Sequence, residues 1–554
     1  MCMLKCYVLT MLLSFVVLYD NAISFVTAAT HTPVRSNRFW NFLMGYSSQR
    51  KICQGFRDRF KIGISKPFTQ NHDKRPRRVH NREELVKKLN VELENGRILG
   101  PYSSLPVKDL VVSPLYVIPK STPGKFRLIH NLSYPESDSV NSHIDEDDKS
   151  VKYCSLLDVA RFLVTTEGDG HWLSKVDLKD AYRCVPIHKD DWRYLGMQLQ
   201  DKYLCDRCLP MGLGSSCRIF TEISNALAWI FTQHNPKATV FNYLDDFLIV
   251  ARDKQQCEYA LQSFLNILND IGFPVSDEKT VLPCQSLEYL GLGVNAKDRS
   301  FFIPANKRED AISLITSFLE KKSQKVRTIQ KVVGKLTFLA QSLLPGRALL
   351  RSLHEQLEGV LSQETWVTRR ISSGVKEDLM VWRQFLVRST AEKKFRFLFP
   401  EDRPDHTIET DAAGSIGYGA VMGDRWFCGR WEDKWWTTQN IALLELYPVY
   451  AALHSWIPEL SNSCVRIMTD NMALVSMLNS LYSKDRKLNT LLKHCALLLM
   501  EYNVVIKAHH IPTEANTIPD RLSRGLDCSN ALNNENKFFV PFKFSPQMVK
   551  CLLI

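Results

Sequence analysis

Residues 240–250 bring Asp245 and Asp246 together between two short apolar, β-prone runs. That pattern predicts a tight β-hairpin with both carboxylates at its tip. Two ionised carboxylates about 4 Å apart repel by roughly 4 kcal/mol at an effective dielectric near 20. The pair is therefore expected to share a cation, and an all-oxygen donor set favours Mg2+ or Mn2+ over zinc. A third carboxylate is available upstream at Asp177, which ends a strand-like stretch before Asp180-Ala181-Tyr182 turns away.

The last third of the chain repeats this acid logic. Asp411 ends a strand over 408–411, Glu445 lies on a helix predicted over 441–456, Asp470 ends a strand over 465–470, and Asp520 follows the loop from His510 through Asn516. Strands over 417–422 and 425–431, joined by a Gly-Asp turn, complete an alternating pattern. Pro448 interrupts the Glu445 helix. It removes the bond to the carbonyl of Leu444, which predicts a kink and a shifted Glu445.

The elements that position these acids are also legible. A strand over 110–120, a Pro-Gly turn at 123–124 and a strand over 125–133 predict a hairpin bearing Lys120 and Arg127. The loop 209–216, with Met211 and Gly212, enters a helix whose face carries Ile219, Phe220, Ile223, Leu227, Ile230 and Phe231. Another amphipathic helix over 257–271 ends at Gly272, and Lys279 follows. Helices over 306–343 have Lys321, Lys322, Lys325 and Arg327 between them.

With 554 residues and 45% hydrophobic content, the chain has apolar material for several folded domains. Its net charge is +12, and residues 35–88 alone hold 15 Lys/Arg against 4 Asp/Glu, an excess of +11. The basic character therefore belongs to an N-terminal arm, residues 30–89, expected to be a flexible nucleic-acid-binding segment or a solvated linker. Fifteen cysteines without a paired framework argue against a secreted disulfide scaffold, and Cys205-Asp206-Arg207-Cys208 is expected to end a hairpin rather than bind zinc. Residues 1–29 have the look of a secretory leader. The leader is taken as spurious and the protein as cytoplasmic or nuclear. No other run could span a bilayer, so no stable membrane partner is expected.

The segments around Asp177 and Tyr243-Leu244-Asp245-Asp246 resemble motifs A and C of reverse transcriptases. The resemblance covers about residues 90–525. It implies an α+β right-hand polymerase, with fingers and palm over 90–295 and a thumb over 296–345, followed by an α/β RNase H-like domain over 406–525. Residues 346–405 are expected to form a connection or tether, and 526–554 a tail. In the polymerase, the resemblance makes Asp177, the backbone carbonyl of Leu178, Asp245 and Asp246 metal ligands. It sets Lys120 and Arg127 on the nucleotide triphosphate, and Asp180, Ala181 and Tyr182 around its sugar, where a bulky ring excludes a ribose 2′-hydroxyl. Met211 and Gly212 are implied at the base and template, Lys279 as a proton donor to pyrophosphate, and Tyr289, Leu290 and Gly291 as a primer grip.

Asp411, Glu445, Asp470 and Asp520 resemble the four metal-binding acids of RNase H, with His510 in the loop that assists product release. Two Mg2+ (or Mn2+) ions per active site are implied. The partners implied are an RNA template, a DNA primer, RNA–DNA hybrid, dNTPs and other products of the same element. Phrases such as 127–135 and 521–524 look most similar to DIRS-like, tyrosine-recombinase retrotransposons, with LTR retroelements and pararetroviruses as cousins. There is no Asp-Thr/Ser-Gly protease signature and little sequence follows Arg524, so a polymerase and RNase H module, or a fragment of a longer product, is expected. The alternative is a decayed or domesticated copy that binds nucleic acid without catalysis.

Overall fold

The computed structural model describes residues 32–65, 81–107, 109–119, 124–136, 138–166, 170–360, 366–388, 392–394, 404–526, 538–539 and 549. The apolar leader, Lys120, Pro123, the arm over 66–80 and most of the tail lie outside the described residues.

Strands β1 (Ile98–Tyr102), β2 (Leu115–Pro119) and β3 (Phe126–His130) begin the fingers. The helix Arg82–Glu94 buries Leu85 and Leu89 against Ile98, Leu115 and Val117, closing a small core of its own. Strand β4 (Trp172–Asp177) starts the palm, and β6 (Lys202–Asp206) pairs with β1 on one side and with β5 (Gly196–Leu199) on the other. Cys205 closes the expected hairpin end, its thiol donating to the carbonyl of Trp192 at 3.0 Å.

The palm sheet has the order β7-β8-β4-β9, with β7 (Ala238–Tyr243), β8 (Asp246–Ala251) and β9 (Val281–Cys284). Strand β8 is apolar at every position after Asp246 because both its faces are covered. Phe247 and Ile249 join the core under the helices Ser216–His234 and Lys254–Ile271. Leu248 and Val250 face the other way, into a second core. The apolar face expected on Ser216–His234 is buried throughout.

Strands β10 (Ser286–Tyr289), β11 (Leu292–Asn295) and β12 (Ser300–Phe302) lead to the helices Ala305–Leu319 and Val326–Leu339. Lys321, Lys322, Lys325 and Arg327 are exposed around β13 (Ser323–Lys325), which pairs with β14 (Thr368–Arg370). Residues 346–405 are more than a tether. The helix Ser373–Arg388 buries Val375, Leu379, Trp382, Phe385 and Leu386 in the second core, and β15 (Glu392–Lys394) extends the sheet at β12. The 3.6-residue spacing of those five side chains lies within a basic, mixed composition that hides it.

The last unit is built on β16 (His406–Ala413), β17 (Gly417–Met422), β18 (Arg425–Arg430), β19 (Cys464–Thr469) and β20 (Val505–His510), in the order β20-β19-β16-β17-β18. Strands β16 to β18 are antiparallel, and β16, β19 and β20 are parallel, with helices as crossovers. A short β21 (Phe538–Phe539) lies parallel to β18. Among the described residues no helix is long and apolar enough to cross a membrane.

The described part of the basic arm is folded, in contrast to the expected flexible segment. Helices Ser36–Phe42 and Gln49–Asp58 bury Phe39, Leu43, Ile52 and Phe56 in the palm core, with Phe39, Phe56 and Phe273 in mutual ring contact. Charge counting missed the i, i+4 apolar pairs Phe39/Leu43 and Ile52/Phe56. The docking needs a glycine: Gly272 caps Lys254–Ile271 at φ +96°, and a Cβ there would lie 2.1 Å from the carbonyl oxygen of Pro33. Phe39→Ala should cost about 3–5 kcal/mol, read as a lower denaturant midpoint of the full chain. Trp40→Ala, at a position 39% exposed, should cost a small fraction of that. Equal effects would mean that the arm is not part of the palm core.

Candidate active sites

The β4–β8 register sets Asp177 directly opposite Asp246, and the β7–β8 register sets Tyr243 opposite the same residue. Leu244 and Asp245 are left as a two-residue turn. Leu244 holds φ +53°, unusual for a branched residue. Two bonds fix it: the Ser224 hydroxyl donates to the Leu244 carbonyl at 2.6 Å, and the Leu178 amide to the Asp245 carbonyl at 3.0 Å.

All three acids thus meet at one corner. Burial pushes the Asp245 carboxyl up to about 6, with the charges of Asp246 and Asp177 adding to the rise and Lys279 opposing it. Asp246 is raised mainly by burial, against the pull of Lys175 at 3.1 Å. The Lys279 ammonium lies 2.8 and 2.9 Å from the two oxygens of Asp177. Burial lowers the lysine's pKa, but that bond and the fields of the three acids outweigh it and hold the group above its usual value. Lys279, expected at the pyrophosphate, is therefore an ion-pair partner of Asp177 here.

The nucleotide-side residues are distributed as follows. Arg127 is exposed on β3. Asp180, at φ +51°, pairs with Arg97 at 3.1 Å, and Ala181 is buried. Tyr182 packs edge-on against Phe220, with its hydroxyl 3.3 Å from the Cys217 sulfur. The Met211 carbonyl accepts the His130 amide at 3.1 Å, joining its loop to β3. Gly212, at φ +120°, passes so close that a Cβ would lie 2.0 Å from the His130 carbonyl oxygen. One implied role is corrected. Tyr289 is 0% exposed and its hydroxyl donates to the Phe241 carbonyl at 3.2 Å, so its side chain belongs to the core. The turn Leu290-Gly291 that follows it holds φ +47° and +85°.

The second site is tighter. Asp411 on β16, Glu445 on the helix Ile441–Leu460 and Asp470 after β19 each offer an oxygen within 4.8 Å of the others, the one such acid trio among the described residues. In the palm, Lys279 and Lys175 each pair with one carboxylate, Asp177 and Asp246 respectively. Burial, then Asp411 and Asp470, push Glu445 up to about 9, and its Oε2 is buried with no hydrogen-bond partner. Burial also raises Asp411, against the bond donated by Ser523 at 2.5 Å. Asp470 accepts the Thr513 hydroxyl at 3.0 Å, and its carbonyl meets His510 Nε2 at 3.1 Å. An unpartnered buried oxygen in an all-carboxylate set fits a divalent cation.

Asp520 stands outside the close trio. Arg524 holds it at 2.7 and 2.8 Å, although its charge still acts on Asp411. Asn516 is buried, donating to the Thr410 carbonyl at 3.1 Å. The helix Ile441–Leu460 runs uninterrupted through Pro448, and Glu445 is seated in the trio. Pro448 and its neighbours are buried, so packing compensates for the lost bond. Sequence reasoning missed Lys175, Cys217, Thr513 and Ser523. Only Ser523 had a signal, being three residues past Asp520 on one helix face.

Because Glu445 is raised from 4.5 to about 9, ionising it in the folded chain costs stability that accumulates as pH rises through that window. In chelator, Glu445→Gln should therefore melt higher than the unmodified chain, with a gap that widens from pH 5 to about 3 °C or more at pH 8. Mg2+ should stabilise the unmodified chain more than the variant. A pH-independent gap, or equal Mg2+ shifts, would argue against the acid cluster.

Residues 118–294 match the family described as reverse transcriptase (RNA-dependent DNA polymerase). Among similar curated proteins, the Gag-Pol polyprotein of avian reticuloendotheliosis virus is 27% identical over 228 residues, 40% of this chain. That of gibbon ape leukemia virus is 29% identical over 142 residues, 24% of this chain. These stretches span 18% and 8% of those relatives' own lengths. A foamy viral protease-reverse transcriptase dRH, solved in complex with double-stranded DNA, aligns with a TM-score of 0.47 and 13% identity over 89% of this chain and 84% of that one. The architecture is a right-hand polymerase carrying the reverse transcriptase match, followed by an RNase H-like α/β domain.

Proposed function

We propose that the chain is the RNA-directed DNA polymerase of a retroelement, with RNase H activity in its last unit. The observation that carries this reading is the strand register that faces Asp177 with Asp246 beside the Asp245 turn, within the segment matching the reverse transcriptase family. Phrases over 127–135 and 521–524 favour a DIRS-like source. The chain acts in the cytoplasm or nucleus, where dNTPs and an RNA template with a DNA primer are available.

Asp177, Asp245, Asp246 and the Leu178 carbonyl would hold two divalent ions in the palm. Asp411, Glu445, Asp470 and Asp520 would hold two more. Mg2+ or Mn2+ so bound activates the attacking oxygen and stabilises the leaving one. Arg127 binds the triphosphate, which its planar fork suits. Tyr182 closes the space beside the sugar, and Gly212 lets the loop before Ser216–His234 approach β3. The turn at Leu290-Gly291 supports the primer end. In the RNase H site, Ser523 and Thr513 orient Asp411 and Asp470 by hydrogen bonds, and His510 lies beside Asp470.

On a primed RNA template with Mg2+, the full chain should incorporate dNTPs, and an Asp245→Asn, Asp246→Asn double variant should lose about 10²-fold or more of that activity. Asp411→Asn should abolish hydrolysis of RNA in a hybrid and leave incorporation intact. A folded chain that binds the primed template without extending it would instead be a binding relic.

A further inference from the structure

A ring beside the sugar discriminates only if it is held still. Tyr182 packs its edge against Phe220, ring centroids 5.3 Å apart, a contact that leaves the hydroxyl end unconstrained. The missing constraint is Cys217, whose sulfur lies 3.3 Å from that hydroxyl. The Tyr153 hydroxyl lies close enough to the same sulfur for Cys217 to help raise its pKa. The Tyr153 ring in turn lies 4.6 Å from that of Tyr243 at an interplanar angle of 34°. Tyr243 is the residue paired with Asp246 across the hairpin. A continuous line of side chains therefore runs from the acid hairpin through Tyr153 and Cys217 to Tyr182.

Both middle links of this line are anchored. Cys217 lies in the first turn of Ser216–His234, where the Ser215 hydroxyl donates to the Ile62 carbonyl at 2.7 Å and that of Ser216 to the Pro210 carbonyl at 3.0 Å. The Gly214 amide donates to Asn141 Oδ1 at 2.7 Å. Tyr153 precedes the helix Leu156–Thr165, whose start is fixed by a reciprocal Ser155–Asp158 capping box. Burial, and after it the sulfur contact, raise both tyrosine hydroxyls above their ordinary value, so both stay protonated at neutral pH.

We propose that Cys217 is a specificity-determining positioning residue, whose sulfur holds the Tyr182 hydroxyl and thereby fixes the ring that excludes a 2′-hydroxyl from the incoming nucleotide. This rests on the polymerase reading above. The bond acts through Tyr182 and not on the reacting atoms, so its loss shows in the choice of sugar and leaves the chemistry with the preferred substrate nearly unchanged.

The test compares kcat/KM for a dNTP and its matching rNTP on one primed RNA template with Mg2+, using full-length chains. Cys217→Ala and Tyr182→Phe should each lower the dNTP-over-rNTP ratio by about three- to tenfold, mainly through a lower KM for the rNTP. That fold-change is ~0.7–1.4 kcal/mol at 1.4 kcal/mol per tenfold, the size of one hydrogen bond. Cys217→Ser, which keeps a bonding atom, should stay within about twofold of the original ratio. The double variant Cys217→Ala, Tyr182→Phe should fall no further than either single one, because both remove the same bond. The proposal is overturned by an unchanged ratio in Cys217→Ala, by failure of serine to rescue, or by additive losses. A fall in dNTP efficiency that tracks a lower melting temperature would also overturn it, in favour of a packing role. Absence of incorporation by the unmodified chain would overturn the polymerase reading itself, and this inference with it.

Discussion

Carboxylates crowded into a low-dielectric corner cannot all ionise unless positive charge stands among them, and the palm is arranged around that constraint. The antiparallel register of β4 and β8 gives Asp177 and Asp246 no room to separate, and a two-residue turn forces Asp245 beside them. The cost is visible in the raised carboxyls of Asp245 and Asp246. It is also visible in the turn, where Leu244 keeps a left-handed conformation under two hydrogen bonds. Strain of this kind persists only where the surroundings over-determine it. Both faces of β8 are sealed by separate cores, so the hairpin cannot relax by moving away from the sheet.

The second acid site meets the same constraint by a different route. Its acids come from a strand, a helix and a strand end, so no register fixes them, and hydroxyls do the aiming. Ser523 and Thr513 each donate to one carboxylate. Glu445, buried and without a partner on Oε2, is pushed up to about 9. In the palm two ammonium groups offset the repulsion. In the second unit the crowding shows as the upward shift of Glu445, driven by burial and then by the charges of Asp411 and Asp470.

How much of this was legible depended on whether the signal was local. The palm hairpin, its partner strand, the helix Ser216–His234 and the alternation of strand and helix in the last unit all follow from periodicity within a dozen residues. The folded arm and the helix Ser373–Arg388 had equally clear apolar spacing, but charge dominated their composition and hid it. Tyr289 resembled a primer contact because sequence cannot tell which face of a short hairpin is covered, and the helices that cover it lie well beyond it. Pro448 misled for a related reason: propensity prices the lost bond but not the packing around it. Cys217, Lys175 and Thr513 act across the fold, through partners 35, 71 and 43 residues away in sequence, so no local pattern could flag them.

The two acid sites are joined by packing across one helix. The helix Arg486–Tyr502 turns most of its apolar side into the core of the last unit, while Leu497 and Met500 reach the core shared by palm, thumb and connection. At that seam Lys493 meets Asp378 at 2.7 Å, and both side chains are buried. A buried ion pair is weak evidence for stability, since desolvation consumes most of its Coulomb energy, yet leaving either charge alone costs about 3–5 kcal/mol. Apolar surface tolerates sliding by a fraction of a side chain, whereas a buried charge tolerates none. The pair therefore sets the register between the connection helix and the last unit, and with it the spacing from the palm acids to the second acid trio.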